Sequence, residues 1–149
     1  MIRIDKLTKN YGSFQAVKSI SFEVNDGEIL GFLGANGAGK STTLKVMTGY
    51  LSPTAGNVYV NDLNIIDNPI EIQKCIGYLP ELNPLYGDMV VYDILQFTAS
   101  MRGIVGSSFN DALDRVINDC TLNSVIHKKV SECSKGFKQR IGLACAMIH

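Results

Sequence analysis

Gly34-Ala35-Asn36-Gly37-Ala38-Gly39-Lys40-Ser41 decides how this sequence reads, because it matches G-x-x-x-x-G-K-[ST] and stands between an apolar run and a helical pattern. The run before it, Ile29-Leu30-Gly31-Phe32-Leu33, predicts a parallel strand covered on both faces. Ser41 to Gly49 predicts a helix. In that context the octapeptide predicts a phosphate-binding loop. Glycines at 34, 37 and 39 let backbone N–H groups ring an anion where a Cβ would block the approach. The helix then aims the positive end of its dipole at the same charge. Lys40 is expected to reach the β- and γ-phosphates, the Ser41 hydroxyl to hold Mg²⁺, and Thr42 to add donors, with Asn36 counted among the nucleotide-binding residues. The loop alone does not choose among kinases, GTPases and ATPases.

Working outward, alternation in Ile2-Arg3-Ile4-Asp5-Lys6-Leu7 and Ile20-Ser21-Phe22-Glu23-Val24 predicts two strands with one solvated face, and Asn25-Asp26-Gly27 a turn. Beyond the loop, Ser52-Pro53-Thr54-Ala55-Gly56 predicts a turn. Val58-Tyr59-Val60 and Ile76-Gly77-Tyr78-Leu79 predict short strands, the latter ended by Pro80. Helical spacing then runs from Val91 to Met101, from Phe109 to Cys120, and onward from about Gly136. Met89-Val90-Val91-Tyr92-Asp93 imitates an apolar strand ending in a Mg²⁺-holding Asp, but the spacing after it is helical. Asp93 therefore reads as a solvated helix residue.

The bulk numbers narrow the class. A chain of 149 residues that is 46% hydrophobic can bury a core, and 14 basic against 14 acidic residues leave no field to hold a nucleic acid. No apolar run is long enough to cross a bilayer, and the opening residues carry no signal core. Cys75, Cys120, Cys133 and Cys145 show no C-x-x-C pairing and read as buried, reduced thiols of a cytosolic protein. His127 and His149 are isolated and read as structural or exposed.

A second motif, Ser134-Lys135-Gly136-Phe137-Lys138-Gln139-Arg140, makes the choice that the loop leaves open. A small hydroxyl, an unhindered Gly136 N–H and a helix dipole all point at one anion. With the loop at 34–41, this stretch resembles the ABC-type ATPases, and the resemblance covers Ile2 to His149. It implies that Ser134 and Gly136 bind the γ-phosphate held by a second, facing ATPase domain. Cys133 and Lys135 stand where the family more often has Leu and Gly. Tyr11 matches the aromatic that the family stacks on adenine, for which a flat π surface suffices. Glu81, in Tyr78-Leu79-Pro80-Glu81, stands where the family usually has a Gln touching Mg²⁺, and its oxygens can still hold a hard cation. That segment, followed by Asn83-Pro84-Leu85-Tyr86, looks most like bacterial exporter-type or gliding-motility ATP-binding subunits.

The resemblance implies an α/β P-loop fold with an N-terminal antiparallel β region, a helical subdomain and a core sheet left incomplete. The expected layout is a β region and P-loop core over 1–82, a helical subdomain over 83–134 and a signature helix over 135–149. ATP and Mg²⁺ are the implied ligands. A transmembrane permease subunit and a second ATPase domain are the implied partners, at the cytoplasmic face of a membrane. The family's apolar strand ending in Asp-Glu and its later γ-phosphate His have no match in the sequence, so no catalytic set is complete. A truncated fragment, inactive or weakly nucleotide-binding alone and with bare apolar faces at 28–34 and 75–80, is therefore expected. Two other readings stand beside the transporter: a soluble nucleotide-dependent clamp and a non-catalytic self-assembling nucleotide-binding module.

Overall fold

Strand alternation with local register shifts shapes the first part of the chain. The computed structural model describes residues 1–149, which divide into two units, Met1–Ile76 and Gly77–His149. In the first unit β1 (Ile2–Tyr11) and β2 (Phe14–Val24) form an antiparallel hairpin. After α1 (Lys40–Met47), β3 (Ala55–Val60) pairs antiparallel with β1, and β4 (Leu63–Asn64) pairs with β3. The sheet order is β2-β1-β3-β4. Ile4 and Leu7 are both buried although three residues apart, which strict alternation forbids. The register of β1 slips between them, and Lys6 takes φ 50°, so an extra residue returns Leu7 to the core face. Val17, Val58 and Val60 join that face, covered by Val46 of α1, Ile65, and Ile72 of α2 (Pro69–Cys75).

Two expected strands do not form. Ile29–Leu33 belongs to no strand; Ile29 is 98% and Leu33 93% exposed, the bareness anticipated for this segment. An apolar run becomes a parallel strand only when neighbouring strands supply its ladder and layers cover its faces, and no strand of this chain pairs with it. Ile76-Gly77-Tyr78-Leu79 likewise stays outside the sheet. Ala55 and Gly56 enter β3 instead of remaining in the turn. Cys75 is exposed rather than buried, at the C-terminal end of α2 where the helix stops.

The second unit is helical. It contains α3 (Val91–Met101), α4 (Ser107–Asp119) and α5 (Lys135–Met147), with a 3-10 turn over Val130–Glu132. Its core joins Val91, Ile94 and Leu95 of α3 to Phe109 and Val116 of α4, and to Ile141 and Ala144 of α5. Asp93 is an exposed residue in the first turn of α3, as its helical surroundings predict. No helix is long and apolar enough to cross a membrane.

Candidate nucleotide-binding site

The loop at 34–41 leaves backbone donors free at the start of α1. Its glycines turn the backbone through left-handed conformations, φ 81° at Gly37 and φ 87° at Gly39. Gly39 is the N-cap of α1 and offers no side chain to the helix. The amides of Lys40, Ser41 and Thr42 therefore have no acceptor within the chain, as the first turn of a helix dictates. Only glycine fits at 39. Besides the strain of positive φ, a Cβ there would run into the Ala16 carbonyl and lie 3.2 Å from Val17 Cγ2, so β2 backs the loop directly.

Lys40 reaches back over the loop, its Nζ donating to the carbonyls of Gly34 and Ala35, each at 2.7 Å. Ala38 N–H donates to the Ala35 carbonyl at 3.2 Å and closes the turn. Asn36 and Ser41 are exposed, and Thr42 half-buried. Sequence reasoning missed Thr43, which is 1% exposed. Its hydroxyl and its amide both donate to the Gly39 carbonyl, at 2.9 and 2.8 Å, and hold the cap in place. The available signal was a hydroxyl on the inward stripe of an otherwise apolar helix face. The donor set of amides, one ammonium and free hydroxyls suits a polyphosphate. No group of three or more His, Cys, Asp or Glu could hold a metal by itself. A Mg²⁺ ion would depend on phosphate oxygens for much of its shell.

Tyr11, also in the first unit, ends β1 opposite Phe14; it is 47% exposed, with the Lys9 ammonium 5.5 Å from its ring centre. Glu81, Ser134 and Gly136 belong to the second unit. Glu81 is exposed and makes no hydrogen bond or ion pair. Ser134 is the N-cap of α5: its Oγ accepts from Phe137 N–H at 3.3 Å and its carbonyl from Lys138 N–H at 2.9 Å. Gly136 leaves open space beyond the Ser134 hydroxyl, and the Arg140 guanidinium sits 5.2 Å from the Phe137 ring centre. The structure thus gathers residues 34–42 into one donor-lined loop, and Ser134 with Gly136 at one helix start.

A glycine-capped helix behind a loop of free amides and one lysine defines a P-loop nucleotide-binding protein. Residues 17–149 match the ABC transporter family, and the chain belongs to it. It is 37% identical over 149 residues to the probable multidrug ABC transporter ATP-binding protein YbhF of Escherichia coli (strain K12), covering all of this chain and 26% of that protein. A solved ATP-binding subunit of an ABC transporter superposes with a TM-score of 0.88 at 26% identity, over 99% of this chain and 61% of that one. A dimeric bacterial ABC transporter cassette, MJ0796, superposes with a TM-score of 0.86 at 23% identity, over 99% and 69%, and shows the fold alone. The chain spans only part of the curated relatives it matches, 26% of YbhF and 49% of YxlF from Bacillus subtilis (strain 168). The expected α/β P-loop fold with an N-terminal antiparallel sheet and a helical subdomain is the one found.

Proposed function

We propose that this chain is the ATP-binding part of a transporter ATPase, which grips the triphosphate with residues 34–42 and powers a membrane-spanning permease from the cytoplasmic side. The observation that carries the reading is the α1 N-terminus, where glycine caps the helix, leaving three amides without acceptors beside a lysine. The backbone ring and Lys40 bind the phosphates, Tyr11 stacks on the base, and Ser41 and Glu81 are the oxygen ligands for Mg²⁺. Bound Mg²⁺ neutralises phosphate charge. Ser134 and Gly136, at the start of α5, serve the γ-phosphate bound to a second ATPase domain in a head-to-tail dimer, the Ser134 hydroxyl and the Gly136 N–H lying together at one helix start. Residues 1–149 include no apolar strand ending in Asp-Glu, so on this reading they bind nucleotide and do not activate water.

Calorimetry with Mg²⁺–ATP on the wild type and Lys40→Ala tests the site. Binding by the wild type should fall at least tenfold in the variant, since a charge-assisted contact to phosphate is removed. Equal binding by both proteins would overturn the assignment.

A further inference from the structure

Between Gly77 and Asn83 the chain has no regular secondary structure, yet it is fixed along α5 at three points. Gly77 lies against the Ala146 carbonyl, Leu79 against Gly142, and Asn83 against Gly142 and Lys138. Residues 138, 142 and 146 are spaced by four and form one stripe along the helix. The Asn83 amide donates its Nδ2 hydrogen to the Lys138 carbonyl at 2.7 Å. Helix geometry already pairs that carbonyl with the amide of residue 142, so Asn83 uses its second lone pair. It gets there because position 142 has no side chain. A Cβ on Gly142 would run into Asn83 Nδ2 and lie 2.6 Å from Asn83 Cγ and 2.7 Å from Leu79 Cδ1. Glu81 thus sits between two residues fixed to α5, and Lys138 lies one turn after Ser134, to whose carbonyl its amide is bonded.

We propose that Asn83 is a positioning residue: it holds the Glu81 segment in register with the helix that Ser134 opens, so that the Glu81 carboxylate is presented to a metal-bound nucleotide without first being ordered. This rests on the function proposed above, in which Glu81 is a Mg²⁺ ligand. Asn83 itself touches neither metal nor nucleotide. Without the strap, an exposed carboxylate in an irregular segment would lose conformational freedom on every binding event.

The test is calorimetry of the chain with ATP in EDTA and with Mg²⁺–ATP. Asn83→Asp turns the donor into an acceptor facing a carbonyl, and Gly142→Ala displaces an unchanged Asn83, standing in should Asn83→Asp fail to fold. Each should weaken Mg²⁺–ATP binding about three- to tenfold, the worth of one hydrogen bond, and leave metal-free ATP binding unchanged. Glu81→Ala should show the same metal-specific loss, and adding Asn83→Asp to it should cause no further loss. A purely structural Asn83 would weaken binding equally with and without Mg²⁺, or add fully to Glu81→Ala; either result overturns the proposal, as does an intact Mg²⁺–ATP affinity in Glu81→Ala. Equal binding by Lys40→Ala and wild type would instead sink the functional reading. The strap is then judged by hydrogen exchange: amides 77–83 should exchange faster in Asn83→Asp, and unchanged exchange overturns it.

Discussion

Two helices begin at sites assigned to phosphate, and they begin differently. At α1 the cap is Gly39, which leaves the first amides unsatisfied; at α5 the cap is Ser134, whose hydroxyl already accepts from Phe137. The first start is complete only when something outside the chain supplies an acceptor. The second is stable by itself and keeps the Lys135 and Gly136 amides in reserve. A helix start that gives up its own cap trades local stability for a ligand. One that retains its cap can wait for a partner without fraying.

The comparison can be broken most severely at Gly39. Gly39→Ala combines positive φ with a collision at the Ala16 carbonyl, so it should destabilise the first unit by about 2–3 kcal/mol in chemical denaturation and abolish Mg²⁺–ATP binding. A variant with wild-type stability and affinity would show that the tight backing by β2 does not matter. Ser134→Ala removes a self-cap instead and should destabilise by about 1 kcal/mol, with metal-dependent binding to the 34–41 loop of the same chain untouched. If the two substitutions proved equal, the contrast between borrowed and built-in caps would collapse.

The smallest effect lies just past the other end of α5. Burial lowers the His149 pKa, and Arg102 and Arg115 push it in the same direction. The folded chain therefore resists a proton that the unfolded chain accepts. Stability from this residue is present above the ordinary imidazole value of about 6.5 and is lost as pH falls from there through the lowered pKa. Melting temperature should drop across that window, and His149→Gln should flatten the drop. An unaltered pH profile would show that the end of α5 is insensitive to charge.

Much of this was legible in the sequence because the relevant signals are local. The loop spacing at 34–41, the periodicity from Val91 to Met101 and the helical spacing onward from about Gly136 each depend on near neighbours, and each helix appears where the pattern put it. Ile29–Leu33 misled for the opposite reason: its composition suits a strand, but pairing is decided by other strands. The short helix Pro69–Cys75 went unread, although Asn68-Pro69 is a helix-start signal, because one buried residue, Ile72, gives no period. Asn83 carried no pattern either, since its partner carbonyl is 55 residues away. A glycine at 142, inside a helix, was the only hint that something approached there.

The bent-back posture of Lys40 has a consequence for speed and selectivity. Its four-carbon stem has already lost rotamer freedom, and two carbonyls already stand in for part of the water around its charge. An arriving phosphate meets a preorganised cation and need only exchange one oxygen partner for another. A small lone anion gains little from that exchange, whereas a polyphosphate long enough to engage the free amides as well gains at both ends.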